Sequence, residues 1–329
     1  MAVTARHAEV LILRLAILDD FQNVVRSVAD WSVLKDRVQI TVFNDHLADL
    51  DAVAKRLEPF EIVVCIRERT RFPRALFEKL PNLKLLVSGG MRNLGIDLAT
   101  AKEKGVLVCG TESIGYSTAE LTWGLILATV RNIPREVESV RKGGWQVGLG
   151  VGLRGKTLGV IGLGRQGGPV AGYGKAFGMK VLAWSQNLTA ERCAEHGVER
   201  AESLDDLLSR SDVVTIHVIL SERTRGLIGA KELGSMKRSA FLINTSRGPI
   251  VEETALIAAV EGGIIAGAGL DVFDIEPLPP DHPFRRIDRI VATPHLGYTA
   301  KEGYEQFFGQ GVEDIDAWLK GKPIRIMNP

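Results

Sequence analysis

The sequence predicts an open α/β fold built as two doubly wound parallel-sheet domains. Three observations carry that expectation. Short runs of Leu, Val and Ile alternate with amphipathic stretches along the chain, and strand alternating with helix implies parallel pairing. The alternation comes in two series, separated by a change of pattern near Ser113. The length, 329 residues, exceeds the roughly 100 to 200 residues of one domain.

In the first series, Leu13 to Leu18, Val38 to Phe43, Ile62 to Ile66, Leu83 to Val87 and Val106 to Cys109 read as buried strands, because strands covered on both faces are continuously apolar. Helical patterns lie between them: Phe21 to Lys35, Leu50 to Leu57, Pro73 to Leu80 and Leu98 to Lys104. A long, nearly all-apolar helix, Thr118 to Val130, and a Gly-rich segment, Gly143 to Gly155, then lead into the second series. Its strands are Thr157 to Ile161, Lys180 to Trp184, Asp212 to His217, Ala240 to Asn244, Gly263 to Leu270 and Arg289 to Thr293. The last amphipathic stretch, Tyr304 to Leu319, is expected to return to the first domain. The expected boundaries are residues 1–113 with 302–329 for the first domain and 114–301 for the second.

Composition removes several classes. Lys plus Arg number 41 and Asp plus Glu 40, a net charge of +1, so no broad field attracts nucleic acid or an anionic membrane. No run reaches the ~18 apolar residues of a membrane span. The stretch Val10 to Leu18 contains Arg14 and precedes Asp19 and Asp20, which reads as a strand and not a signal peptide. Cys65, Cys109 and Cys193 are far apart, against a disulfide framework or zinc site. A cytoplasmic protein is expected. The 35 glycines exceed the usual share of ~7%, and 14 of them fall between Gly143 and Gly178.

That cluster contains Gly162-Leu163-Gly164-Arg165-Gln166-Gly167 directly after a strand pattern and opening a helix. Strand, glycines and helix in this order form a Rossmann dinucleotide fingerprint. Gly162 permits the tight turn, Gly164 admits the pyrophosphate to the backbone, and Gly167 allows close helix packing. Arg165 can add a charge-assisted phosphate contact. An acidic residue about 20 positions on would bind the ribose hydroxyl of NAD, yet Ser185, Gln186 and Asn187 stand there. The missing carboxylate removes a repulsion of about 4 kcal/mol toward a 2′-phosphate, and no Arg or Lys in that tripeptide attracts one. NADP(H) is favoured slightly over NAD(H).

Three other strand patterns end in chemistry-bearing residues. Phe241 to Asn244 runs into Thr245, Ser246 and Arg247; Ala268 to Leu270 into Asp271 and, further on, Glu276; Ile290 to Thr293 into His295. Ligands of open α/β sheets bind beyond the carboxyl ends of strands. Hydride exchange between a nicotinamide and a 2-hydroxyacid calls for this trio. His295 can give or take the proton on the alcohol oxygen near neutral pH. Glu276 beside it would fix the tautomer and stabilise the imidazolium consumed in ketone reduction. Arg247 would pair with the substrate carboxylate and polarise the oxo group.

With these motifs in order, the chain resembles the D-isomer-specific 2-hydroxyacid dehydrogenase family, glyoxylate and hydroxypyruvate reductases included, over nearly its whole length. The resemblance implies a Rossmann NAD(P)-binding domain beside a flavodoxin-like substrate domain, with Arg247, Glu276 and His295 as the catalytic set. It implies cofactor contacts from Val218, Thr224, Thr245, Ser246, Asp271 and Gly297, Asp271 facing the nicotinamide carboxamide. It also implies that Ser88, Gly89 and Gly90 offer backbone N–H groups to the substrate carboxylate. Departures from the family pattern are the Ser185-Gln186-Asn187 segment, Tyr298, and Met91-Arg92 in the substrate loop.

The expected activity is hydride transfer between NAD(P)H and a small 2-oxoacid such as glyoxylate or hydroxypyruvate. Two alternatives share the architecture. A formate dehydrogenase resembles this family but carries glutamine where Glu276 stands; a nucleotide-sensing corepressor binds partners without turnover, which the full triad disfavours. His217 within an apolar strand reads as a core histidine, and Arg67, Arg69 and Arg71 as a solvated loop. A homodimer is expected, with the apolar Thr118 helix at its interface.

Overall fold

The computed structural model describes residues 12–329. Val10 and Leu11, the first two residues of the stretch read against a signal peptide, lie outside the described residues; the rest of that stretch carries the first strand. The chain divides into two units, Met1–Ile114 with Lys301–Pro329, and Gly115–Ala300.

The first unit is a sheet of five parallel strands, β1 (Leu13–Ile17), β2 (Val38–Val42), β3 (Ile62–Cys65), β4 (Leu85–Ser88) and β5 (Leu107–Gly110), ordered β2-β1-β3-β4-β5. This is the flavodoxin-like order, with its topological switch between β1 and β3. β3 and β4 are buried at every residue, as continuous apolar runs under helices on both faces must be. Asp49 caps the helix Leu50–Leu57 by accepting from the Ala52 amide, and that helix buries Val53, Ala54 and Leu57. The helix Lys301–Leu319 packs on this sheet, burying Tyr304, Phe307, Phe308 and Ile315. Beyond it, the Met327 amide donates to the Val108 carbonyl at 2.8 Å, so the tail runs along the edge of β5.

One helix expected in this unit is not continuous. Phe21 to Lys35 forms only a short helix, Val25–Val28, and a 3-10 turn, Trp31–Leu34. The reason is local competition for backbone groups. Asp30 is extended and its carboxylate accepts from the Ser32 amide, while the Trp31 indole N–H donates to the Val25 carbonyl at 2.9 Å. That carbonyl is one a continuing helix would need.

The second unit has seven parallel strands: β6 (Thr157–Ile161), β7 (Lys180–Trp184), β8 (Glu199–Arg200), β9 (Val213–Ile216), β10 (Phe241–Asn244), β11 (Gly267–Leu270) and β12 (Ile290–Ala292). Their order is β12-β11-β10-β9-β6-β7-β8, which is the doubly wound dinucleotide-binding arrangement with its switch between β6 and β9. The helix Ser117–Val130 is apolar on most sides because it is core. Its Trp123 stacks on Phe177 at 4.5 Å between ring centroids and donates its indole N–H to the Val170 carbonyl. A further helix, Ile133–Arg141, was not expected; Asn132, left-handed at φ 53°, turns the chain into it, and it buries none of its residues. Among the described residues, no helix is long and apolar enough to cross a membrane.

Candidate active site

The glycine turn is built as its spacing requires. Gly162 has φ 97°, and a Cβ there would sit 2.8 Å from the His217 carbonyl oxygen. A Cβ on Gly167 would collide with the Gly162 carbonyl, so the helix Gly167–Ala176 can start this close to β6 only without a side chain. Gly164 faces open space, with nothing within 4 Å of where its Cβ would be. The Gln166 side-chain oxygen is buried without a hydrogen-bond partner among the described residues. An open backbone edge, glycines a Cβ would fill and an unsatisfied buried polar atom together fit a dinucleotide phosphate. Arg165 packs its guanidinium against Gly115, whose Cβ would come within 2.6 Å of it.

The other expected cofactor residues line the neighbouring strand ends. Ser185, Gln186 and Asn187 follow β7 in a turn closed by the Leu188 amide donating to the Ser185 carbonyl at 3.1 Å. After β9, the Val218 carbonyl accepts from the Ser246 hydroxyl at 2.5 Å. Thr224 closes its own loop, its hydroxyl donating to the Ile219 carbonyl at 2.6 Å and accepting from the Ser221 amide at 2.8 Å. Thr245 pairs hydroxyl to hydroxyl with Thr122 at 2.8 Å. His217 is half-buried, its Nε2 2.9 Å from the Thr215 hydroxyl, and burial pushes its imidazole down to about 3. It stays neutral, although its side chain is only half-buried and not in the core.

At the ends of β10, β11 and β12 the three residues expected to be catalytic, Arg247, Glu276 and His295, fall in one unit. His295 Nδ1 lies 2.5 Å from Glu276 Oε2. An ionised carboxylate only accepts, so Nδ1 carries the hydrogen and Nε2 is the nitrogen left for chemistry. His295 is held in the left-handed region at φ 54°, a strained state that surrounding bonds must impose. Asp271 imposes it: its Oδ1 accepts from the Thr293 hydroxyl at 2.6 Å and the Leu296 amide at 2.7 Å, and its Oδ2 from the Gly297 amide at 2.9 Å. Thr118 also donates to the Gly297 carbonyl at 2.9 Å. Burial pushes the Asp271 carboxyl up despite these bonds.

The loop carrying Glu276 is fixed from two sides. Glu276 Oε1 accepts from the Phe273 amide at 3.0 Å, and Glu253 Oε1 accepts from the Asp274 amide at 2.9 Å. Glu253 also holds His282, Oε2 to Nε2, at 3.2 Å. Burial and the Glu253 charge raise the Asp274 carboxyl above its usual range. A Cβ on Gly248 would run into the Phe273 backbone, so the turn after Arg247 lies directly under this loop. Arg247 itself donates Nη1 to the Ser246 carbonyl at 2.7 Å, and Asn244 ties the turn by donating to the Arg247 carbonyl at 2.9 Å.

Two sets of residues expected at the ligand are engaged within the protein. Asp271 is fully buried and its oxygens accept from the Thr293–Gly297 loop, so it braces His295. In the first unit, the Gly89 amide donates to the Cys65 carbonyl at 3.1 Å. It continues the sheet ladder and is not left for a ligand. The Gly90 amide bonds the Thr111 hydroxyl at 3.2 Å, a group able to rotate. Ser88 is fully buried, and its hydroxyl accepts from Asn93 Nδ2 at 2.9 Å. Sequence reasoning missed Asn93, which also donates to the Arg67 carbonyl and accepts from the Gly95 amide; an Asn one turn after paired glycines was the available signal.

The fold and these strand ends define a class: a two-unit parallel α/β protein with a dinucleotide-binding unit that carries an Arg–Glu–His set. The family model described as D-isomer specific 2-hydroxyacid dehydrogenase, NAD binding domain, matches residues 123–297. The chain belongs to the D-isomer specific 2-hydroxyacid dehydrogenase family. It is 38% identical over 263 residues to the D-3-phosphoglycerate dehydrogenase of Methanocaldococcus jannaschii, a match over 79% of this chain and 50% of that protein. The chain thus spans about half the length of that relative. It is 39% identical over 264 residues to the glyoxylate reductase of Aeropyrum pernix, covering 77% of this chain and 78% of that protein. The crystal structure of a phosphoglycerate oxidoreductase from Vibrio cholerae O395 superposes with a TM-score of 0.90 at 36% identity, covering 94% of this chain and 100% of that one.

Proposed function

We propose that this chain catalyses hydride transfer between NAD(P)H and a small 2-oxoacid, yielding a D-2-hydroxyacid. The observation that carries the reading is the 2.5 Å contact between His295 Nδ1 and Glu276 Oε2 at strand ends of the unit that holds the glycine turn. A bound nicotinamide supplies the hydride. His295 holds the proton on Nε2 and delivers it to the oxo oxygen, and Glu276 stabilises the ring and keeps its tautomer. Arg247 pairs with the substrate carboxylate and polarises the carbonyl. The Gly90 amide is the remaining candidate of the Ser88-Gly89-Gly90 turn for a carboxylate contact. Glyoxylate and hydroxypyruvate are the proposed substrates, the first in keeping with the name of the Aeropyrum relative and the second with that of a relative named hydroxypyruvate reductase from Thermotoga maritima.

NADP(H) is the proposed cofactor, supported by the uncharged Ser185-Gln186-Asn187 turn. A cytoplasmic location is supported by three free, buried cysteines, and a reading without nucleic acid by the net charge of +1. A homodimer is supported by exposed apolar side chains on the helix Ile133–Arg141 and beyond it: Val140, Trp145 at 74% exposure and Leu149 at 95%. The Ser117–Val130 helix is core, so the proposed contact moves from that helix to this segment. The test of function is a panel of 2-oxoacids assayed with NADH and NADPH in parallel. Turnover of glyoxylate or hydroxypyruvate is expected, and a panel without turnover would overturn the reading.

A further inference from the structure

We propose that Arg192 is the residue that holds the 2′-phosphate of NADP(H). This rests on the NADP(H) reading above and names the cation that reading lacked. Thr189 caps the helix Ala190–His196 by accepting from the Arg192 amide at 3.2 Å, which places Arg192 in the first turn after Ser185-Gln186-Asn187. From there its Nε reaches the Leu163 carbonyl at 3.4 Å. Leu163 stands between Gly162 and Gly164, so the guanidinium lies where the glycine turn meets the end of β7, the edge that borders a ribose in this architecture.

The surroundings suit a phosphate. Gln186 and Asn187 are exposed and uncharged. Arg200 braces the same turn, its Nε donating to the Leu188 carbonyl at 3.0 Å. The acids nearby are Glu191 and Glu195, both exposed. Glu195 accepts from Arg192 Nη1 at 2.7 Å; an exposed pair of this kind is weak and screened by salt, so it yields to a dianion. Arg192 Nη2 makes no hydrogen bond among the described residues, and once Nη1 leaves Glu195 the two nitrogens present a planar fork for bidentate contact with phosphate oxygens.

The test is calorimetry of the full chain with adenosine 2′,5′-bisphosphate and with 5′-AMP, which reads binding without turnover. The native protein is expected to prefer the bisphosphate by about tenfold or more. Arg192→Ala should bring that ratio close to one while the affinity for 5′-AMP stays within about twofold, and Arg192→Lys should fall between, since an ammonium keeps charge but not the fork. A preference that survives in Arg192→Ala overturns the role of Arg192 and leaves the NADP(H) reading standing. Equal weakening of both ligands in Arg192→Ala also overturns it. A native protein without preference for the bisphosphate overturns the NADP(H) reading, and the inference with it.

Discussion

Glu276 Oε2 sits 2.5 Å from His295 Nδ1, with the two side chains 30% and 21% exposed. The carboxylate thereby decides which imidazole nitrogen carries the hydrogen. Glu276→Gln removes the charge and lets an amide N–H face Nδ1, which favours the wrong tautomer. kcat should fall on the order of 10²-fold with KM changed little. Steady-state kinetics with an active 2-oxoacid checks this, and an unchanged kcat would remove Glu276 from the proton transfer.

Arg247 anchors one arm on the Ser246 carbonyl at 2.7 Å, which fixes the plane of its guanidinium. Lysine cannot reproduce a planar bidentate contact. Arg247→Lys should lower kcat/KM for 2-oxoacids by roughly 10²-fold without altering cofactor affinity, measured by quenching of protein fluorescence. Equal kcat/KM in the two proteins would count against a carboxylate contact.

Asp271 takes three hydrogen bonds from the loop that presents His295. Asp271→Ala leaves two backbone amides and a hydroxyl unpaired and releases the strained His295 backbone. Unfolding free energy should drop by about 2 to 4 kcal/mol, read from urea denaturation. A stability within experimental error of native would mean that the loop is held by other contacts.

Stability should also depend on pH through Asp314. It is fully buried, Oδ1 accepts from Arg325 Nε at 2.9 Å, and Oδ2 has no partner among the described residues. Burial outweighs Arg325, with Glu313 adding to the rise, and pushes the carboxyl up to about 7. An unfolded Asp releases its proton near pH ~3.9, so between about pH 4 and 7 the folded state holds a proton the unfolded state has lost. That contribution is complete below the window and lost as pH rises through it. Asp314→Asn does not titrate. The Tm of the native protein should therefore decline relative to that of Asp314→Asn from pH ~4 to ~7, and parallel Tm curves would refute the assignment.

The proposed dimer is tested at its most exposed side chains. Leu149→Glu places a charge where Leu149 is 95% exposed, a change that costs a monomer almost nothing and an apolar interface a great deal. Sedimentation velocity should show a native dimer and a monomeric variant. A native monomer would remove the proposal.

Much of this was legible because its signals are local. β6 and β7 are bounded as their apolar runs end, and Gly162, Gly164 and Gly167 stand where a turn and a close helix demand them. Long-range relations were not legible. The Val25 carbonyl is taken by Trp31 from six residues away, which broke an expected helix. Arg192 returns to Leu163 across 29 positions, so a search of the tripeptide after β7 finds no cation. Asp271 follows a strand end in the sequence, and only the path of the Thr293–Gly297 loop shows that it braces His295. The helix Ile133–Arg141 buries none of its residues and so offered no apolar face packed on a core.

The account turns on His295 as the proton donor of a 2-oxoacid reductase. The most direct measurement compares the native protein with His295→Gln, following NAD(P)H oxidation by glyoxylate and hydroxypyruvate and, separately, NAD(P)H binding by fluorescence. Turnover should fall by on the order of 10²-fold or more while the cofactor dissociation constant stays within about twofold. Turnover retained by His295→Gln, with cofactor binding intact, would contradict the account.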